Sequence, residues 1–565
     1  MLKKFWKFCA LSLALVIVVK AGMGAESEDR PNFLLVVFED MSPHIGAYGD
    51  AQARTPVLDD FAAQSVLYEQ VFTTAGVCSP SRAALLMGVH QQSIGAQQMR
   101  AQQGVTLPDG SRVPYTAVPP PQMKAYPELL RAAGYYTSNN GKTDYQLDLS
   151  ITGGPFTIWD ETNAGHPWRG RGDDRPFFAM VNLVQTHESR NFPLDLDPDS
   201  HPITPATLEN LRRERAGRET GIEAGHDPAT LELPPFLPDT APVRAEYAQM
   251  LDNIFHTEQI LARLLAELEE DGLAGNTIVI VTADHGDGLP RAKRSLYDSG
   301  LHVPLMVRWP DGRGAGTRNG ELVSFVDIAP TVLDLAGVEV PEWMTGRIFL
   351  GERTGPERGY IQAAMDRHDE VPDYMRAVRD HRWKYIRNYR NDQPFFRHLA
   401  YRNMLRSMQE LWRLEAAGEL PPHIAQYFTG SRPEEELYDL RADPYELDNL
   451  AGDSDHAVQL DRMRSAMARF DARTPDWSAD GELAMVERMW PDLERPETAT
   501  PSFERLADGR VALYSATPGA SIGYRIADGP WQLYTGPVEL RPGQTLEAKA
   551  VRYGFTESQI KRVEG

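Results

Sequence analysis

Of two cysteines in the chain, Cys9 and Cys78, only one stands in surroundings suited to chemistry. Cys9 falls in an apolar run that reads as an export signal, so its removal leaves Cys78 without a disulfide partner. A lone cysteine is ordinarily a small buried hydrophobe. Cys78, however, opens the stretch CSPSRAALLMG, ending at Gly88, in which serines and a proline precede helix-forming residues. That order puts Cys78 at or just before a helix N-terminus, where unpaired backbone N–H groups and the helix dipole favour an anion. Arg82, one turn on, can face the same spot and hold negative charge. A nucleophile in an anion site is the chemistry this arrangement allows.

Further reactive side chains stand at the ends of three strongly apolar runs. NFLLVVF (Asn32 to Phe38) is followed by Glu39 and Asp40, FFAMVNLV (Phe177 to Val184) by His187, and TIVIVT (Thr277 to Thr282) by Asp284 and His285. In an open parallel sheet, ligands collect at the carboxyl ends of the strands. One acidic pair after a strand is ordinarily a solvated loop. The same ending on three strands points to a shared site.

The elements that must position these residues alternate in type. Apolar β-branched runs and amphipathic segments follow one another to about residue 340, which predicts an α/β fold with a large, mostly parallel sheet flanked by helices. Helical spacing recurs from Pro56 to Gln64, Tyr126 to Ala133, Ala245 to Glu270 and Val326 to Ala336. The region from Phe192 to Pro242, rich in proline and charge, reads as a surface excursion. From about Met375, pieces such as RAVRDHRWKYIRNY and ELYDLRADPYELDNL suggest a smaller antiparallel α+β subdomain, with a helix between Leu399 and Ala417. Beyond Pro496, short β-like runs with Gly and Pro turns predict a small C-terminal β-sandwich. The expected division is a signal peptide over 1–25, an α/β domain over 26–375, the subdomain over 376–495 and an accessory β-module over 496–565.

Bulk properties narrow the function. At 565 residues, 42% hydrophobic and 24% charged, the composition is globular and long enough for several domains. The net charge of -22 gives no long-range attraction for nucleic acid or anionic lipid. Lys3, Lys4 and Lys7 precede an apolar run from Phe8 to Val19 and small residues at Gly22, Gly24 and Ala25. This is signal-peptide grammar, too short to span a bilayer, and it predicts export to the periplasm or beyond with no membrane partner after cleavage. Lys20 interrupts the approach to the cleavage site and leaves an uncleaved anchor as the alternative.

Cys78, Pro80, Ser81 and Arg82 resemble the Cys-x-Pro-Ser-Arg signature of the type I sulfatases, within the alkaline phosphatase superfamily. Met87 stands where a threonine is usual. GAYG at Gly46 to Gly49, TPVLDDFAAQS, TADHG at Thr282 to Gly286, LYDSGLHVPLMVRWP at Leu296 to Pro310 and ELYDLRADPYELDNLA resemble other segments of that family. The unit beyond 496 is similar to small β-modules of chitobiases and other carbohydrate enzymes. The resemblance implies an alkaline phosphatase-like fold and oxidation of Cys78 to formylglycine (3-oxoalanine) by a maturation enzyme, giving a hydrated aldehyde as nucleophile. It also implies a metal held by Asp40, Asp284 and His285, with Glu39 in place of the more usual aspartate and modified Cys78 supplying another oxygen. Such oxygen-rich ligation suits Ca²⁺ ahead of Mg²⁺. Arg82, Lys142 in NNGKTDY, His187 and Lys293 in PRAKRSLYD align with catalytic positions, while Asp144 stands where many members carry a histidine.

The activity implied is hydrolysis of sulfate groups on sulfated carbohydrates. SIGAQQMR at Ser93 to Arg100 and LPRAKRSLYDSGLHVP resemble bacterial relatives of the heparan N-sulfatases, which keeps O-sulfate and N-sulfate both open, with ulvan-like or glycosaminoglycan polymers as substrates. Arg100 and His302, with Arg169 and Arg376 behind them, are candidates for gripping neighbouring sugar charges. The rivals are a phosphomonoesterase or phosphodiesterase of the same superfamily and a non-catalytic carbohydrate-binding protein.

Overall fold

The computed structural model describes residues 30–149, 154–172, 175–217 and 225–565; the expected signal peptide lies outside them. Eight strands form the main sheet: β1 (Asn32–Phe38), β2 (Val66–Phe72), β3 (Tyr136–Asn139), β4 (Glu161–Thr162), β5 (Phe177–Leu183), β6 (Thr277–Ala283), β7 (Leu305–Arg308) and β8 (Thr317–Ser324). Their order is β8-β2-β7-β6-β1-β5-β3-β4. Only β7 runs antiparallel to its neighbours, β2 and β6. The sheet is therefore mixed but dominated by parallel pairs, as the alternation of apolar runs and helices requires.

Every residue of β1, β5 and β6 is buried. Buried on both faces, these strands need no polar alternation, which is why each reads as a continuous apolar run. Register matters more for the site. Phe38, the last residue of β1, lies opposite Leu183 at the end of β5 and Ala283 at the end of β6. The residues that follow all three strands therefore emerge at one level, at the carboxyl edge of the sheet.

Helices α1 (Pro56–Ala63), α2 (Cys78–Met87), α3 (Tyr126–Ala132), α4 (Pro205–Ala216), α5 (Ala241–Glu270), α6 (Ile328–Leu335) and α7 (Arg406–Ala417) include those that cover the sheet and the segments beside it. The stretch read as a surface excursion is more ordered than its composition suggests. Its helix α4 buries Leu208 and Leu211, which join Phe192 and Ile203 in a cluster with Met408 and Leu411 of α7. With so few apolar residues on one face, the helical period was hidden among prolines and charges.

A second, antiparallel sheet has the order β9-β10-β11-β12, built from Ile361–Met365, Met375–Arg379, Trp383–Asn388 and Glu435–Asp439. Its first strand thus lies ahead of residue 376. The C-terminal unit has two sheets, β13-β14 (Ser502–Arg505, Val511–Tyr514) and β16-β15-β17-β18, where β15 to β18 are Ser521–Ile526, Gln532–Leu533, Thr545–Val551 and Lys561–Glu564. It is fastened to α3: Tyr553 donates to Glu128 Oε2 at 2.6 Å and Arg131 donates to the Trp531 carbonyl at 2.8 Å. Among the described residues no helix is long and apolar enough to cross a membrane.

Candidate active site

Cys78 is the first residue of α2 and has no exposure to solvent. Val77 before it is extended, and no side chain caps the helix. Pro80 sits in the first turn, where its missing N–H costs no helical hydrogen bond. Ser81 ties the turn down by donating to the Asp284 carbonyl at 2.5 Å.

Asp40, Cys78, Asp284 and His285 each bring one donor atom within 4.8 Å of the others. Cys78 Sγ is 3.3 Å from His285 Nε2, which lies 3.1 Å from Asp40 Oδ1. Asp40 has the left-handed φ of 49°, a conformation Asp tolerates better than most residues. Asp284 Oδ1 accepts the backbone N–H groups of Asp40 and His285, both at 3.0 Å.

Burial works to discharge His285, but Asp284, Asp40 and Cys78 outweigh it and hold the imidazole well above its ordinary pKa. Burial likewise opposes ionisation of Asp284, yet His285, Arg82 and Lys142 drive that carboxyl far below the usual range. A pocket that draws a proton onto its own histidine is one a cation can occupy. Two carboxylates and one imidazole fit a divalent cation, and a hard one if residue 78 contributes oxygen.

Glu39 does not join this group. Its Oε1 accepts from Arg82 at 3.2 Å and forms an ion pair with Lys142 Nζ at 2.9 Å. Arg82, fully buried, also donates Nε to Asp284 Oδ2 at 3.0 Å and a terminal nitrogen to Asn182 Oδ1 at 2.5 Å. Burial alone would lower the Arg82 and Lys142 pKa values, but the surrounding carboxylates raise both. Asp144 accepts from Ser79 at 3.1 Å and lies 3.5 Å from Lys142 Nζ. On the other side Lys293 Nζ reaches Asp40 Oδ2 at 2.7 Å, Glu188 Oε1 at 3.0 Å and His187 Nε2 at 3.3 Å. His187 Nδ1 accepts the Ser189 backbone N–H at 3.2 Å and lies 2.9 Å from the Ser189 hydroxyl. Burial, then Lys293 and Lys142, push the His187 pKa well below the ordinary value.

Above this floor lies a cleft of about 390 Å³ lined by Glu39, Arg100, Lys142, Asp144, His187 and Tyr401 among others. Arg100 is thus brought to the site. His302 is not: it stacks on Phe72 at 4.9 Å and its Nε2 contacts the Glu69 carbonyl at 2.8 Å. Arg169 pairs with Asp271 on the surface, and Arg376 with Asp366 and Asp476. Sequence reasoning missed Asn182, a single polar residue inside an apolar strand, Glu188, next to His187, and Tyr401, from the segment before α7. The first two had a signal in the strand and its ending; Tyr401 had none.

The fold and the floor of the cleft define an α/β protein in which Cys78, at a helix N-terminus, faces carboxylates and an imidazole that could hold a metal ion, with lysines flanking them. The family model described as Sulfatase matches residues 31–155 and 162–338, and that described as N-sulphoglucosamine sulphohydrolase, C-terminal, matches 291–401. An ulvan-active sulfatase of Formosa agariphila is 38% identical over 552 residues, covering 95% of this chain and 91% of the relative. Human N-sulphoglucosamine sulphohydrolase is 27% identical over 498 residues, covering 82% and 95%. Among solved structures, one in complex with its substrate D-glucosamine-2-N,6-O-disulfate aligns with a TM-score of 0.53 at 18% identity, covering 80% of this chain and 99% of that one. A phosphonate monoester hydrolase from Silicibacter pomeroyi aligns with a TM-score of 0.53 at 17% identity, covering 86% and 100%. These two show the shared fold. The chain belongs to the sulfatase family, hydrolases of sulfate esters and N-sulfates.

Proposed function

We propose that this sulfatase removes O-sulfate groups from an ulvan-type polysaccharide outside the cytoplasm, using Cys78 converted to formylglycine by a maturation enzyme and one Ca²⁺ ion. Similarity to the ulvan-active relative over nearly the whole of both chains supports the substrate class. The single observation that carries the chemistry is the meeting of the α2 N-terminus with Asp40, Asp284 and His285 where β1 and β6 end in register.

Oxidation of Cys78 would supply a hydrated aldehyde there, an oxygen nucleophile whose second hydroxyl allows sulfate release. Asp40, Asp284 and His285 would hold the cation, which adds positive charge beside the sulfate oxygens. Arg82 donates from each of its three nitrogens, to Asp284, Asn182 and Glu39, so its part is to fix those carboxylates. Lys142, whose side chain is 20% exposed, faces the cleft and can hold a sulfate oxygen. Lys293 keeps Asp40 and His187 in place, and this Lys293–His187 pair delivers a proton to the departing sugar oxygen.

Sulfate release from ulvan oligosaccharides, measured by ion chromatography on natively matured protein, tests the reading. Release should be abolished by Cys78→Ala, and mass spectrometry of the peptide spanning residue 78 should find formylglycine. Release from N-sulfoglucosamine alone would replace O-sulfate by N-sulfate, and equal turnover of aryl phosphate and aryl sulfate would remove sulfate specificity.

A further inference from the structure

The cations around the cleft differ in how fully they are already paired. Lys142 meets Glu39, Arg190 donates to Glu214 at 3.1 Å, and Arg294 grips both oxygens of Glu188 at 2.8 Å. Arg100 is the exception. Among the described residues its guanidinium forms no hydrogen bond, and its one ion-pair contact is Nε to Asp369 Oδ1 at 3.7 Å. The other oxygen of Asp369 is already approached by Arg294 at 3.4 Å.

The backbone holds this arginine where it is. Arg100 has a left-handed φ of 64° and Asp369 one of 50°, conformations that a non-glycine residue keeps only when its surroundings impose them. Met99 N–H donates to the Arg367 carbonyl, Ala101 N–H to Gln146 Oε1, and the Arg100 carbonyl accepts from Gln103, each at 2.9 Å. A rigid backbone thus presents a loosely paired fork with its side chain 23% exposed. It lines the same cleft as Lys142, His187 and Tyr401.

We propose that Arg100 is a specificity-determining residue that binds a second anionic group, carboxylate or sulfate, on the sugar undergoing desulfation or on its neighbour. The inference rests on the sulfatase reading and adds to it that the substrate carries two negative charges within reach of one cleft. A guanidinium fork matches either oxyanion by two parallel hydrogen bonds, which an ammonium cannot do. Local capture of this kind is needed because the net charge of -22 repels an anionic polymer at long range.

The test compares wild type, Arg100→Ala and Arg100→Lys, as full-length matured protein, on three sulfated disaccharides. One bears a uronate, one is its carboxyl-reduced form and one carries a second sulfate instead. Wild type should prefer a doubly charged substrate over the carboxyl-reduced one by about tenfold in kcat/KM. In Arg100→Ala that ratio should fall to about one, chiefly through KM, with partial recovery in Arg100→Lys. The preferred doubly charged substrate identifies the oxyanion as carboxylate or sulfate. A ratio unchanged by Arg100→Ala overturns the proposal, as does a wild-type ratio of one. If no sulfate is released from any substrate, it is the proposed function that fails. Calorimetric titration with the desulfated uronate disaccharide then still decides on Arg100: a tenfold loss of affinity in Arg100→Ala supports it and an unchanged affinity refutes it.

Discussion

Replacing Arg82 should unfasten both the fold and the site, because one fully buried guanidinium holds the ends of three strands together. It bonds to Glu39 just after β1, Asn182 within β5 and Asp284 just after β6. Arg82→Ala leaves two carboxylates without that partner in a place closed to water. Removing one member of a buried ion pair costs about 3–5 kcal/mol. Arg82→Lys keeps the charge but not the fork, and losing one or two charge-assisted hydrogen bonds costs roughly 2–4 kcal/mol. Turnover should fall by about a hundredfold or more in either variant, since both carboxylates are released from their positions. Denaturant titration of the matured protein measures the first effect and sulfate release the second. Adding Glu39→Gln to Arg82→Ala should recover part of the stability by removing one unpaired charge. An Arg82→Ala protein within about 1 kcal/mol of wild type and still active would refute the reasoning.

Glu258 gives a pH signature remote from the site. Burial pushes its pKa to about 8, and it accepts the Leu58 N–H of α1 at 2.9 Å while its other oxygen has no partner. The folded state therefore keeps a proton that the unfolded chain loses near pH 4.5, and stability falls as pH rises toward 8. Glu258→Gln should stabilise the protein increasingly with pH, by roughly 2–3 kcal/mol more at pH 8.5 than at pH 6; a constant difference in Tm would contradict this. Chelation should lower Tm, and excess Ca²⁺ should restore it better than Mg²⁺, by about 2.7 kcal/mol at a hundred times its Kd; Asp284→Asn should abolish the response. His302→Gln, away from the cleft, should cost about 1 kcal/mol of stability through its lost contacts and leave KM for the oligosaccharide unchanged. A raised KM would return His302 to the substrate site.

The positions legible in the sequence were those fixed by local periodicity. Cys78 and Arg82 are one helical turn apart, and the reactive endings of three apolar strands follow from strand length alone. What stayed hidden depends on register and on residues distant in the chain. Glu188, Arg294 and Asp369 form one ion network from three separate loops, and Tyr401 reaches the cleft from the segment before α7. No spacing rule links such residues. The left-handed conformations of Arg100 and Asp369 are equally silent in a sequence, because neither position is a glycine.

Glu39 and Asp40 show how little separates the two groups of charges in the site. On an extended strand, consecutive side chains face opposite sides of the sheet. Here the strand stops at Phe38, and the left-handed φ at Asp40 turns its carboxylate to His285 and Lys293. Glu39, one methylene longer, crosses instead to Arg82 and Lys142. Shortening that side chain by Glu39→Asp would draw the carboxylate away from Lys142 and toward the strand end, where the donor group lies. Glu39 thus stands with the cations Arg82 and Lys142, apart from Asp40, Asp284 and His285.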